Sequence, residues 1–151
     1  METTFKIWKT NRALYLNFLE KYSLEQLNQI PNGMRNNLIW NIGHAVVSQQ
    51  GLVYRLSGLP MQISTEMMET YKNGSVPSGA TTLEEVNEIK NLLTSTVNQT
   101  ISDFENDVFK TYTPYQTSTG FSLQNLNDAL QFNNYHEAIH LGFMMKIKNF
   151  I

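Results

Sequence analysis

Four long segments of the chain place their apolar residues three and four positions apart. In the first segment, Phe5, Trp8, Tyr15, Phe18 and Leu19 form one stripe, and this spacing is typical of an amphipathic helix. No segment alternates between apolar and polar residues for long enough to predict a strand. The spacing therefore predicts an all-α chain with four helices of about 20 to 27 residues each, which is long enough for a four-helix bundle.

The second long segment is predicted to form a helix at about residues 36–57. It is apolar on almost every face, so we expect it to be the most buried helix of the set. Gly58 and Pro60 are predicted to end it. The long connection that follows, residues 58–80, contains one short predicted helix at about residues 64–71.

Capping residues predict where the last two long helices begin. Thr82 is followed three positions later by Glu85, which is a capping-box pattern for the third long helix. Ser122 is the predicted cap of the last helix, at about residues 123–149. Because the sequence shows no internal repeat and no low-complexity tract, the chain is predicted to be a single domain over residues 1–151.

Composition excludes several classes of function. The sequence contains no cysteine, which rules out disulfides, thiolate nucleophiles, cysteine-bound zinc and iron–sulfur clusters. The net charge of −2 and the scattered basic residues give no surface that would attract nucleic acid. Charged residues interrupt each apolar run near the N-terminus, so it resembles neither a signal peptide nor a membrane span, and we expect a cytoplasmic protein.

The three histidines of the chain are its most informative residues. His136 and His140 stand four positions apart on the last predicted helix, so they share a face, with their Cβ atoms roughly 5 to 6 Å apart. Imidazole nitrogens at this spacing can bind one cation at about 2.0 to 2.1 Å. His44 lies on the buried segment. If the two helices are neighbours, all three rings converge, and we predict a divalent-metal site.

The histidines have two other interpretations, of which the sequence leaves one open and excludes the other. The rings could instead belong to a buried hydrogen-bond network with Asn41, Ser48 or Tyr135. A ferritin-like di-iron centre is excluded, because it needs a Glu from each of two helices and two Glu-x-x-His motifs. The segment at residues 36–57 contains no carboxylate, and the sequence has one such motif in the last helix.

Residues 136–140 also match the His-Glu-x-x-His signature of zinc proteases, in which the Glu acts as a general base. Those enzymes take a third ligand from farther along the chain, and no His, Glu or Asp follows His140 here. The sequence therefore disfavours a protease. Glu137 is predicted to support the ligands or to face solvent, and a role as a base toward a metal-bound water stays open.

The motifs at residues 40–44, Trp-Asn-Ile-Gly-His, and at residues 136–142, His-x-x-x-His-x-Gly, resemble those of the DinB/YfiT-like superfamily. The segment at residues 24–31 contributes to the resemblance, which covers nearly the whole chain. It implies a four-helix bundle with up-down-down-up connectivity. It also implies a site for zinc or nickel carried by His44, His136 and His140.

Members of this superfamily with known activities use the metal with a low-molecular-weight thiol, such as bacillithiol or mycothiol, in transferase or isomerase chemistry. Homodimers are frequent among them. In this chain Phe143 stands where a Gln often follows the Gly of the last motif, so the polar contact of that Gln is missing. The resemblance therefore implies a metal-dependent enzyme without indicating its substrate.

The sequence supports a metal-dependent transferase or hydrolase that acts on a small molecule and binds no nucleic acid or membrane. Arg55, three turns after His44, could bind an anionic group of the substrate, or could simply face solvent. Gly43 and Gly51 are predicted to permit close packing beside the ligand helix. The alternative is a non-catalytic metal-binding module, or one that dimerises through an exposed stripe of its first or third long helix.

Overall fold

The computed structural model describes residues 1–151 and is mostly helical. The helices are α1 (Glu2–Lys21), α2 (Leu24–Asn28), α3 (Leu38–Val53), α4 (Thr65–Tyr71), α5 (Leu83–Glu105) and α6 (Leu126–Ile147). A 3-10 turn, Arg55–Ser57, follows α3. Two short strands, β1 (Tyr115–Gln116) and β2 (Ser122–Leu123), form an antiparallel pair. None of the helices combines the length and apolarity that a membrane span requires.

Side-chain caps fix several of these helix starts. At α5, the Thr82 hydroxyl accepts from the Glu85 amide, and the Glu85 carboxylate accepts from the Thr82 amide at 2.6 Å, which confirms the predicted capping box. At α4, Ser64 Oγ accepts from the Met67 amide at 3.0 Å. Gly58 ends the 3-10 turn with a φ of +72°, a left-handed conformation that favours glycine. The predicted breaks therefore lie close to the observed ones.

The start of the last helix differs from the prediction. Ser122 was predicted to cap a helix at about residues 123–149, but Asn125 caps α6, with its Oδ1 accepting from the Asp128 amide at 3.0 Å. Ser122 pairs with Gln116 in the two-stranded ladder instead. The expectation that the chain contains no strand was wrong at this point, because two-residue strands are too short to show an alternating pattern.

α3 is the most buried helix, as its sequence predicts. Fourteen of its residues are buried, and it contributes more residues than any other helix to one core shared with α1, α5 and α6. The helix is shorter than predicted at both ends. It begins at Leu38 after the cap Asn37 and stops at Val53, where the backbone tightens into the 3-10 turn.

The four long helices pack in pairs, with α3 and α1 each lying against both α5 and α6. Later residues of α1 contact later residues of α6. Trp8 Nε1 donates to the Leu130 carbonyl, and Arg12, one turn further along α1, pairs with Glu137. These two helices therefore run in the same direction. α3 runs opposite to α6, because His44 lies beside His140 whereas Leu52 packs near the other end of α6.

α5 runs parallel to α3. Gln49 Nε2 donates to Thr100 Oγ1 at 3.0 Å, and farther along both helices the Tyr54 hydroxyl donates to Asp103 at 2.5 Å. The parallel pair requires a long crossover, and the segment between Gly58 and α5 provides it. This crossover contains α4, which lies against α3 next to the histidine of that helix.

Candidate metal centre

The structure brings His44 of α3 together with His136 and His140 of α6. The ring centroids are 5.2 Å apart for His44 and His136, 4.8 Å for His44 and His140, and 4.6 Å for His136 and His140. One nitrogen of each ring lies within 4.8 Å of the others. The convergence that the sequence analysis required is therefore present, and the role of these rings as metal ligands stays a prediction.

The orientation of His44 is fixed by contacts with α3 and α4. Its Nδ1 lies 2.7 Å from the Tyr71 carbonyl, which can only accept, so Nδ1 carries the proton and Nε2 keeps its lone pair. The Trp40 ring stacks on the imidazole at 4.7 Å with an interplanar angle of 7°. Ser48 Oγ lies 3.2 Å from Nε2. The lone pair of His44 therefore points away from α4.

Gly43 allows α4 to approach His44 this closely. A Cβ at residue 43 would lie 2.7 Å from the Tyr71 ring, a separation that real Cβ contacts do not reach. The missing side chain lets the Tyr71 ring pack directly on α3, which places its carbonyl on His44. The predicted close packing is thus confirmed for Gly43. At Gly51 a Cβ would meet only the Arg55 guanidinium, at an ordinary 3.6 Å.

A chain of amide groups orients His140. Asn41 Nδ2 donates to the Asn37 carbonyl at 2.7 Å, so its Oδ1 is the atom that faces His140 Nδ1 at 2.9 Å. Because that oxygen can only accept, Nδ1 of His140 carries the proton and Nε2 keeps its lone pair. Asn37 is itself anchored by donating to the Asn28 carbonyl at 3.1 Å. The network predicted as an alternative therefore includes Asn41 and Ser48, and Tyr135 takes no part.

Burial keeps all three imidazoles neutral. Desolvation lowers the pKa of His136 to about 3 and that of His140 to about 2, with smaller contributions from the neighbouring histidines and, for His136, from Arg12. Desolvation also lowers the pKa of His44, although its bond to the Tyr71 carbonyl opposes this shift. The neutral form is the one that binds metal, so no proton has to be removed at neutral pH.

The donor set fits a divalent transition metal. Imidazole nitrogens suit zinc, nickel and related ions. Nδ1 of His44 is held by the Tyr71 carbonyl and Nδ1 of His140 by the Asn41 carboxamide, and histidine ligands usually have a partner of this kind on the nitrogen that does not bind the metal. Nδ1 of His136 is buried and has no hydrogen-bond partner. A bound cation next to His136 would compensate for part of the cost of burying the cluster.

Glu137 lies on the far side of α6 from solvent, in an ion pair with Arg12. The side chain has no exposed surface, and its Oε1 accepts from Arg12 Nε at 3.0 Å, Arg12 Nη2 at 2.7 Å and Asn133 Nδ2 at 2.9 Å. The prediction that Glu137 could face solvent was therefore wrong. Its role as a base stays a prediction, and three donors already hold one of its two oxygens.

The pairing of Arg12 with Glu137 was not predicted from the sequence. The available signal was the position of Arg12 on the apolar stripe of the first helix, four residues after Trp8 and three before Tyr15, where a charged side chain has to be paired. The Tyr15 hydroxyl donates to the Glu137 carbonyl at 2.6 Å, which joins the same two helices. These contacts lock α1 onto α6 directly behind His136.

A cavity of about 150 Å³ opens beside His44 and His136. Arg55 contributes to its wall, so the predicted substrate-binding residue lies in the same cavity as two of the histidines. The wall also includes residues 117–119 of the loop between the two strands. Phe143, which stands where the resemblance has a Gln, is 58% exposed and takes no part in the cavity.

A comparison with curated proteins finds no significant match. The family model of the DinB superfamily matches residues 7–144, which extend from the first helix to beyond the last histidine and include all three rings of the cluster. This match covers most of the chain, and it agrees with the mostly helical fold. The chain therefore belongs to the DinB superfamily.

Proposed function

We propose that the protein is a metal-dependent enzyme in which His44, His136 and His140 hold one zinc or nickel ion. The observation that carries this proposal is the convergence of three neutral imidazoles, with one nitrogen of each within 4.8 Å of the others. The anchored Nδ1 atoms of His44 and His140 support it, because they keep the lone pair on Nε2 of both rings, and on His44 the Ser48 hydroxyl is the one group in contact with it, at 3.2 Å. Three protein ligands leave a position open, which is the arrangement of catalytic rather than structural sites.

The proposed fold is a four-helix bundle with up-down-down-up connectivity. The parallel contacts of α1 with α6, and of α3 with α5, support this order, as do the antiparallel contacts of α3 with α6. In such a bundle the ligand helices α3 and α6 are neighbours through most of their length. The site therefore lies between two helices whose other faces are fixed by the core.

We propose a small molecule as the substrate and a low-molecular-weight thiol as the co-substrate in a transfer reaction. A divalent ion held by neutral imidazoles keeps its full charge and lowers the pKa of a coordinated thiol or water. The protein itself contributes orientation and exclusion of water. Trp40 covers one face of His44, Asn41 holds His140, and the cavity beside His44 and His136 gives access for the substrate.

A second candidate is a non-catalytic metal-binding or dimerising module. Its support is that the Tyr71 carbonyl, Ser48 and Asn41 already give His44 and His140 hydrogen-bond partners without a metal. Two apolar residues of α1, Ile7 and Leu14, are also more than 40% exposed, and they are seven positions apart on one side of the helix. Homodimerisation through this stripe stays part of that proposal.

An activity assay separates the two candidates. The zinc- or nickel-loaded chain is mixed with an aryl halide electrophile and a series of small thiols, and formation of the thioether is followed. We expect turnover that requires both metal and thiol, and that is lost in His136→Ala. Metal-dependent turnover without a need for thiol would favour hydrolysis, whereas a chain that binds metal but turns over no substrate would favour the non-catalytic module.

A further inference from the structure

The cavity beside the histidines has positive groups in its wall and no negative ones. None of its eighteen lining residues is Asp or Glu, and its charged side chains are Arg55 and Lys72. Lys72 forms an ion pair with Glu69, and both side chains are largely exposed. Arg55 takes part in none of the four ion pairs of the chain. Arg55, whose side chain is exposed, is therefore the one charged group of the cavity without an ion-pair partner.

The Arg55 side chain lies back along α3 toward the histidines. A Cβ at Gly51, one turn before Arg55, would be 3.6 Å from Arg55 Nη2, so the guanidinium lies over the bare backbone of this glycine. Both Gly51 and Arg55 line the cavity. A guanidinium presents its donors in a planar fork, which matches the two oxygens of a carboxylate. This end of the cavity is therefore suited to a planar anion.

The wall of the cavity is apolar over most of its exposed area, although Ser48 and residues 117–119 add polar groups to it. Along it lie Val47 and Leu52 of α3, Met68 of α4, and Phe132 and Ile139 of α6. At 1.5 Å of rise per residue, the seven positions from His44 to Gly51 span roughly 10 Å of the helix axis. A molecule that reaches from the histidines to the guanidinium therefore needs an apolar body of about this length.

We propose that the cavity binds a medium-length organic monocarboxylate. Its carboxylate pairs with Arg55, and its apolar body lies along the wall toward His44 and His136. This inference rests on the proposed function, in which the molecule would be the substrate. In the metal-free chain, the single unpaired cation of the cavity matches a single negative charge. A phosphate monoester carries about −1.5 to −2 charges at neutral pH and would leave part of its charge unpaired.

The test is isothermal titration calorimetry with the full chain free of metal, so that no ligand can bind through an ion. Octanoate, whose extended length suits the cavity, is compared with the neutral octanamide. We expect octanoate to bind roughly tenfold more tightly, because hydrogen bonds to charged groups contribute affinity of this order. Arg55→Gln should abolish the preference. Lys90→Gln, which removes an equal charge from α5 outside the cavity, should retain it.

Three further ligands test the proposal with the unmodified chain. Octylammonium should bind more weakly than octanamide, because its charge meets Arg55. Butanoate should bind more weakly than octanoate, because it leaves much of the apolar wall uncovered. Octyl phosphate should not bind more tightly than octanoate.

Equal affinities for octanoate and octanamide, or a preference that survives in Arg55→Gln, would overturn the proposal. So would tighter binding of octyl phosphate, which would assign the cavity to phosphate esters. Zinc binding by the same samples is measured separately. A failure of the carboxylate proposal therefore leaves the metal site intact, whereas a failure of the proposed function appears as absent zinc binding.

Discussion

Asn41 connects the start of α3 to a histidine of α6 through two hydrogen bonds of its carboxamide. Asn41→Leu keeps a similar volume but removes the acceptor for His140 Nδ1. We expect zinc affinity to fall by about 10- to 100-fold, which is typical when the partner of a histidine ligand is lost. Competition with a chromogenic chelator measures this change. Asn98→Leu, at an exposed position of α5, is the control, and equal affinities for the two variants would contradict the orienting role of Asn41.

Arg12 and Glu137 form the one buried ion pair of the chain, with 3% and 0% of their side chains exposed. Arg12→Met leaves the Glu137 carboxylate buried without its cation, and we expect a loss of about 3 to 5 kcal/mol in the free energy of unfolding. The double variant Arg12→Met, Glu137→Leu should recover most of this loss, because it removes both charges. Urea unfolding measures both variants. A double variant less stable than Arg12→Met would show that the pair is not the source of the effect.

At the scale of helices, the contact between α3 and α4 depends on one missing side chain. In Gly43→Ala, the new methyl group would overlap the Tyr71 ring, and we expect a loss of about 1 to 3 kcal/mol from overpacking together with weaker zinc binding. Gly51→Ala is the matched control on the same helix. It meets only ordinary contacts, so it should stabilise the chain by about 0.5 to 1 kcal/mol. Thermal unfolding compares them, and equal effects would exclude the proposed packing role.

The sequence predicted the elements whose signals are local or periodic. The four long helices, the capping box at Thr82 and the burial of α3 follow from apolar spacing and capping chemistry, and the histidines converge because they lie on the buried faces of their helices. The contact of Tyr71 with His44 could not be predicted in the same way. It depends on how the crossover returns to α3, and no pattern within either segment encodes that approach.

The beginning of α6 shows a second limit. Ser122 and Asn125 are both good capping residues, and the choice between them is made by the pairing of Ser122 with Gln116 six residues earlier. Likewise, the partner of Glu137 lies 125 residues away on α1. In both cases a contact between distant parts of the chain decides the outcome. Such a contact cannot be predicted from the residues next to each position.

For the molecule as a whole, the buried histidines make stability depend on pH. Their pKa values are lowered in the folded chain, to about 3 for His136 and about 2 for His140, whereas imidazoles of the unfolded chain titrate near pH 6.5. The unfolded state therefore binds more protons below this pH. The stability that neutral histidines provide is present above it and is lost as the pH falls toward the folded-state pKa values.

In the metal-free chain we expect the free energy of unfolding to fall by about 1.4 kcal/mol per pH unit for each such imidazole, between about pH 6 and pH 5. Urea unfolding at several pH values measures this slope. His136→Leu removes one of these imidazoles, so it should reduce the slope by about 1.4 kcal/mol per pH unit. A stability that stays constant across this range would show that the rings are accessible to protons in the folded state.

The central claim is that three imidazoles from two helices bind one divalent ion, and titration of the untagged, metal-free chain with Zn²⁺ tests it most directly. The chain has three histidines in all, so no other imidazole can contribute. We predict binding of one ion per chain, and its loss in each of His44→Ala, His136→Ala and His140→Ala but not in Lys90→Gln. Less than about a tenth of an ion per chain, or full binding by His44→Ala, would contradict the claim, because a preformed three-ligand site fills readily.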